Sequence, residues 1–269
     1  MRVGTGEKRE AERELPTGRG GAKIQVVDLW KSFAGKEVLR GVDLAIEDSE
    51  SFVIVGGSGA GKSVLLKHLI GLIRPDRGRI VIGGQDLTNA NAAASLELRR
   101  TFGMSFQEGA LFDSMTVYEN VAFPLRRHTA MSEAEVGDRV RECLGLVHLE
   151  GVERKMPSEL SGGMRRRVGF ARAIAHRPEV LLFDEPNTGL DPITSGAIDR
   201  VIVEMRERLP VTMVTITHAM ESAFRIADRI AMLRDGRIVA VAAPAEFRSH
   251  PDPYVQKFLA GEPLEEEVA

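Results

Sequence analysis

The run Gly56-Gly57-Ser58-Gly59-Ala60-Gly61-Lys62-Ser63 comes directly after the apolar, β-branched stretch Ser51–Val55. A buried strand that opens into a glycine cluster and then into helical apolar spacing (Val64, Leu65, Leu66, Leu69, Ile70) admits few folds. It matches a strand–loop–helix unit that cradles phosphate. The glycines let the backbone curl so that successive N–H groups face one anion. A helix from Ser63 adds free N–H groups and the positive end of its dipole. Lys62 supplies a mobile cation for the β- and γ-phosphates, and the Ser63 hydroxyl is a hard oxygen ligand for Mg²⁺. A glycine-rich turn can match this pattern by accident, but an accidental match has no reason to sit between an apolar strand and an amphipathic helix.

Strand and helix patterns alternate along the rest of the chain. Strands are predicted at Lys23–Leu29, Val42–Ile46, Ser51–Val55, Arg79–Ile82, Phe102–Phe106, Val180–Phe183, Val211–Thr217, Arg229–Leu233 and Arg237–Val241. Helices are predicted at Ser63–Leu72, Ala92–Arg100, Val117–Leu125, Ser132–Val147, Thr194–Arg208 and Ala219–Ile226. The fold class is α/β, one domain over 22–249 with a helical insertion at about 108–158. The charged, glycine-rich stretch 1–21 reads as a disordered arm, and 250–269, ending in Glu265-Glu266-Glu267, as a C-terminal tail.

Composition narrows the partners. A net charge of -3 shows no basic excess of the kind nucleic-acid binders carry. No apolar run approaches the ~18 residues of a membrane span, and the N-terminus lacks the apolar segment of a secretory signal. The single cysteine, Cys143, excludes an internal disulfide and reads as inert packing. The natural location is the cytoplasm, and membrane work has to pass through a partner.

Val180-Leu181-Leu182-Phe183-Asp184-Glu185 is an apolar strand ending in two carboxylates. Asp184 at the strand end suits Mg²⁺, and Glu185, one residue on, is placed to polarise an attacking water. Phosphoryl transfer asks mainly for such positioning and charge neutralisation. Alone the pair reads equally as an acidic turn; beside the phosphate loop it reads as the second half of a nucleotide site. Ser161-Gly162-Gly163 opens another helix, a second anion-binding helix end or an ordinary N-cap.

Together with Leu160-Ser161-Gly162-Gly163-Met164, these segments resemble the ATP-binding-cassette (ABC) ATPases, and the resemblance spans about 24–245. It implies a P-loop core, a RecA-like mixed sheet with an antiparallel β subdomain, plus a helical subdomain, and ATP with Mg²⁺ as ligands. It implies that Gln107, after strand Phe102–Phe106, senses the metal or water, that Asp191 in Thr188-Gly189-Leu190-Asp191 faces a second copy, and that His218 contacts the γ-phosphate. Metal ligation falls to Ser63, Gln107 and Asp184. Either Phe33 or Trp30 stacks on adenine, unless the aromatic is core. In the family Ser161, Gly162 and Gly163 close over the γ-phosphate of the opposite subunit, so the working unit is a homodimer. Asn187, Ala219 and Met164 depart from the commonest family residues.

The segment Gln107–Val117, leading into Glu119-Asn120-Val121-Ala122-Phe123-Pro124-Leu125, together with Met164 resembles the ATPases of Mla/Mce-type bacterial lipid transporters. That implies two copies of a membrane permease docking near Gln107–Val117, an Mce-like lipid-binding subunit, and a place on the cytoplasmic face of the inner membrane. Leu111, Phe112 and Met115 read as permease contacts or as core. Arg165-Arg166-Arg167 reads as a headgroup or permease contact or as a solvated helix face. An ATPase serving another solute is the alternative. A non-transport ABC protein lacks support, since coiled-coil insertions, zinc cysteines and a second cassette are missing from the sequence. A small GTPase or kinase sharing only the phosphate loop does not account for Ser161 and His218.

Overall fold

The computed structural model describes residues 21–107 and 109–262. The expected arm over 1–21 lies, Gly21 apart, outside the described residues, as does the Glu265–Glu267 run.

Two sheets form the frame. The strands are β1 (Ala22–Phe33), β2 (Lys36–Glu47), β3 (Ser51–Val55), β4 (Arg77–Ile82), β5 (Gln85–Asp86), β6 (Phe102–Ser105), β7 (Val180–Asp184), β8 (Thr212–Ile216), β9 (Arg229–Arg234) and β10 (Arg237–Ala242). A four-stranded antiparallel sheet runs β2-β1-β4-β5, and a six-stranded sheet runs β10-β9-β3-β8-β7-β6. In the second, β6, β7, β8, β3 and β9 are mutually parallel and β10 closes one edge antiparallel to β9.

The parallel strands are apolar on both faces, as burial between layers requires. Successive residues of β3 serve different cores: Phe52 and Ile54 pack toward the antiparallel sheet, Val53 and Val55 toward the helices. The same alternation divides Val180 and Leu182 from Leu181 and Phe183 on β7. Each large side chain so buried contributes roughly 1.5–3 kcal/mol of transfer free energy.

The helices are α1 (Lys62–Leu69), α2 (Ala92–Arg100), α3 (Val117–His128), α4 (Glu133–Leu146), α5 (Gly162–Ile174), α6 (Pro192–Arg208), α7 (Met220–Ile226), α8 (Pro244–Arg248) and α9 (Pro253–Ala260). Helices α3, α4 and α5 pack on one another. Capping boxes start two of them, Thr116 with Glu119 for α3 and Ser132 with Glu135 for α4. Helix α9 occupies part of the stretch expected as a tail. Asp252 caps it through the N–H groups of Tyr254 and Val255, and Pro253 fills its first turn. No helix among the described residues is long and apolar enough to cross a membrane.

Candidate active site

The parallel strands β3, β8 and β7 end at one level, so the segments beyond them converge. Ile216 of β8 pairs with Ile54 of β3 on one side and Asp184 of β7 on the other. Beyond β3 lies the phosphate loop, beyond β7 Glu185, beyond β8 His218. Open α/β sheets present ligand sites at this carboxyl edge.

A cleft of about 630 Å³ opens there, lined by Ser58, Gly59, Ala60, Gly61, Lys62, Ser63, Glu185 and His218, with Val38 and Val64. Gly61 is the N-cap of helix α1 and offers no side-chain cap, which leaves the first-turn N–H groups to an anion. Gly61 has φ 106°, and a Cβ there would lie 3.0 Å from the Val38 carbonyl and from Leu39 Cδ2. Only glycine takes this backbone without strain. Lys62 Nζ donates to the carbonyls of Gly56 (2.7 Å) and Gly57 (3.0 Å). Burial pulls its pKa below the ordinary lysine range, and the charges of Glu185 and Asp184 oppose that.

Glu185 has φ 50°, an uncommon backbone for a residue with a side chain and one found at functional sites. Its N–H donates to the Ile216 carbonyl (2.9 Å), continuing the β7–β8 ladder past Asp184. Its Oε2 lies 2.9 Å from His218 Nδ1 and accepts from the Thr188 hydroxyl at 3.2 Å. Asp184 is half-buried; burial first, then the Glu185 charge, push its carboxyl above the ordinary range. The Asp184 and Glu185 carboxylates, together with the Ser63 hydroxyl, form a donor set of oxygens chemically suited to a hard divalent cation.

The other predicted residues lie elsewhere. Gln107, two residues past β6, is exposed and does not line the cleft; its carbonyl accepts from Arg166 Nε (2.8 Å). Ser161 is exposed and caps α5 by accepting from the Met164 N–H (3.3 Å). Gly162 and Gly163 form the first turn of α5, and a Cβ on Gly163 would come within 2.6 Å of Thr194. Asp191 caps α6 by accepting from the N–H groups of Ile193 and Thr194, and the Thr194 hydroxyl bond, the largest cause, lowers its carboxyl pKa. Phe33 is 44% exposed at the end of β1, whereas Trp30 is half-buried, donating from Nε1 to Asp28 (2.7 Å) with the Arg237 guanidinium over its ring.

The run Arg165–Arg167 also bonds within the fold. Arg165 donates to the Leu160 carbonyl, Arg166 to those of Gln107 and Thr188, and Arg167 to that of His148. Arg172, unsuspected from sequence, donates to the carbonyls of Gly109 and Ala110. Of the apolar knot, Leu111 packs against the core, while Phe112 is exposed and meets Phe123 in a tilted contact, 5.0 Å between ring centroids.

A glycine-rich loop of the phosphate-binding pattern and a carboxylate–imidazole pair in one cleft, just beyond the acidic strand end at Asp184, define a P-loop NTPase. The family described as "ABC transporter" matches residues 39–188. The probable ribonucleotide transport ATP-binding protein mkl of Mycobacterium tuberculosis (strain ATCC 25618 / H37Rv) is 42% identical over 90% of this chain and 67% of its own length. The sulfate/thiosulfate import ATP-binding protein CysA of Xylella fastidiosa (strain 9a5c) is 42% identical over 88% and 68%. The intermembrane phospholipid transport system ATP-binding protein MlaF of Escherichia coli (strain K12) is 39% identical over 83% of both chains. Among solved structures, the ATP-binding cassette MJ0796, a dimer in a post-hydrolysis state bound to ADP and Pi, superposes with TM-score 0.74 at 30% identity, over 82% of this chain and 98% of that one. This chain belongs to the ABC transporter family, as an ATP-binding subunit that hydrolyses ATP. Its two sheets and helical subdomain are those of an ABC ATPase cassette.

Proposed function

We propose that two copies of this chain hydrolyse ATP at shared sites and thereby drive lipid movement through a separate membrane permease. The observation that carries the shared site is a separation. The phosphate loop, Glu185 and His218 line one cleft, while the exposed Ser161 helix end of the same chain does not line it. A second anion-binding helix end on the surface suits the nucleotide of a second copy.

In this reading the backbone of Gly56–Ser63 cradles the phosphates, Lys62 meets the β- and γ-oxygens, and Phe33 stacks on adenine. Ser63 and Asp184 would hold Mg²⁺, with Gln107 reaching it from outside the cleft, and the ion would neutralise charge building on the phosphates. Glu185 accepts a hydrogen bond from the attacking water and orients it, and His218 contacts the γ-phosphate while holding the Glu185 carboxylate. Ser161, Gly162, Gly163 and Asp191 act on the site of the partner copy. ATP favours the closed dimer because its γ-phosphate makes contacts available only there, and hydrolysis removes them.

The permease seat is the cleft of about 320 Å³ lined by Phe106, Phe112, Phe123, Pro124, His128 and Arg172. Exposed aromatics of this kind suit a partner's apolar anchors. The lipid cargo is supported by the likeness to MlaF and by the resemblance of the Gln107–Leu125 segment and Met164 to the lipid-transport ATPases. Placement on the cytoplasmic face of the inner membrane, and an Mce-like subunit in the complex, rest on the same likeness. The likeness to CysA favours a second reading, an importer of another solute.

A tagged pull-down from native membranes in mild detergent, with protein and lipid mass spectrometry on one eluate, tests the cargo. A multi-span permease with an Mce-like subunit and enriched phospholipid is expected. A permease without lipid overturns the lipid reading and leaves the importer.

A further inference from the structure

The loop after Glu185 is fastened to two helices through one buried carboxylate. Asn187 is buried, and its Nδ2 donates to Asp199 Oδ1 of α6 (2.6 Å) and to Ser222 Oγ of α7 (2.8 Å). Ser222 Oγ in turn donates to the same Asp199 oxygen, and Arg225 Nη1 donates to the other at 3.0 Å. The Asp199 side chain is 2% exposed. Asn187 sits between Glu185 and Thr188, whose hydroxyl donates to the Glu185 carboxylate. Helix α7 begins two residues after His218. The two halves of the Glu185–His218 pair are thus tied, each from its own side, to Asp199.

Asn187 keeps its own Oδ1 buried without a hydrogen-bond partner. An unpaired buried acceptor is costly, and a serine or threonine here would avoid it. A hydroxyl, however, donates one hydrogen, whereas the amide donates two and reaches both helices. We infer that Asn187 is a positioning residue: through Asp199 and Ser222 it sets the position of Glu185 against His218 for hydrolysis. The inference rests on the reading of Glu185 and His218 as the groups that act on water and γ-phosphate. Networks of this kind act as a unit, so their members are not additive.

The test is steady-state ATP hydrolysis and fluorescent-nucleotide binding by the full chain with Asn187→Ala, Ser222→Ala, the double variant and Asn187→Ser, with Glu185→Gln alongside. Asn187→Ala should lower kcat by about tenfold or more while KM and nucleotide affinity stay within about twofold, the pattern of a lost transition-state interaction. Ser222→Ala should show the same split, the double variant should add little to Asn187→Ala, and Asn187→Ser should recover part of the rate. Normal kcat per folded molecule in Asn187→Ala, with only a lowered melting temperature, makes the network purely structural and overturns the inference. If Asn187→Ala does not fold, normal kcat in Ser222→Ala overturns it equally. If Glu185→Gln itself hydrolyses at the native rate, the pair fails and the inference with it. An inactive Glu185→Gln beside fully active Asn187→Ala and Ser222→Ala removes the inference alone.

Discussion

Glu185 Oε2 lies 2.9 Å from His218 Nδ1, although the two residues leave different strands of the parallel sheet. Neither could find the other without the β7–β8 register, which sets Asp184 opposite Ile216 and brings the Glu185 N–H onto the Ile216 carbonyl. The carboxylate is mostly shielded and the imidazole open to the cleft, at 16% and 59% side-chain exposure. That asymmetry suits a carboxylate that works on water and an imidazole that faces the ligand. Glu185→Gln keeps the shape and removes the basic oxygen. Turnover should fall about 100-fold or more, the scale of a lost general base, with ATP affinity retained. Near-normal turnover in a phosphate-release assay contradicts the role.

The proposed adenine platform falls to one of two aromatics that are close in sequence. Trp30 is engaged by Asp28 and Arg237, whereas Phe33 is 44% exposed, with Lys31 Nζ 5.5 Å from its ring centroid. Phe33→Ala should weaken ATP binding by roughly 2- to 10-fold, the range a stacking contact supplies, and Trp30→Ala should leave it within about twofold while lowering the melting temperature. Nucleotide titration by fluorescence decides between them, and the reverse ranking would transfer the platform to Trp30.

Arg166 of α5 ties together two segments, the one after β6 and the one after β7, through the carbonyls of Gln107 and Thr188. It is 7% exposed, so the bonds are made away from water. Hydrogen bonds to a charged group stabilise by roughly 1.5–3 kcal/mol each, so Arg166→Met should cost about 3 kcal/mol. In a chain of this size that lowers the melting temperature by about 6–12 °C. A fall below about 2 °C in a calorimetric scan shows that the clamp contributes little.

Acid stability depends on His68, fully buried in α1 behind the phosphate loop, with Nδ1 on the Val64 carbonyl at 2.7 Å. Burial above all, and Lys31 to a lesser degree, hold its pKa below the ordinary histidine range; the Val64 bond and the Asp76 charge oppose this. Protons therefore bind the unfolded chain more readily. The stability from keeping His68 neutral is full above the unfolded value near ~6.5 and is lost as pH falls through the lower folded value. His68→Gln, which keeps a donor for Val64, should flatten the decline in melting temperature between about pH 7 and 5 by on the order of 2 °C. An unchanged slope contradicts the assignment.

The parts written in local pattern were legible before the fold was known. Strand β3 and helix α2 carry the bounds that periodicity alone predicts, because an apolar run between glycines and an Asn91-capped helix are local signals. Helix α9 was readable too: Asp252-Pro253 is an N-cap with a first-turn proline after it, obscured by the charged end beyond. What sequence could not show are the contacts made across the fold. Arg165, Arg166 and Arg167 are one run in sequence, yet successive helical residues point about 100° apart, so each reaches a different carbonyl. Asn187, Asp199 and Ser222 come together only once α6 and α7 are packed.

In the proposed mechanism each site is completed by a second copy, and sedimentation velocity tests this most directly. Glu185→Gln should sediment as a monomer without nucleotide and as a dimer with ATP. Adding Ser161→Arg, which blocks the exposed helix end and leaves the cleft of its own chain untouched, should abolish the dimer while one ATP still binds per chain. Persistent ATP-driven dimers in the double variant, or a wild-type monomer that hydrolyses ATP at full rate, would contradict the shared site.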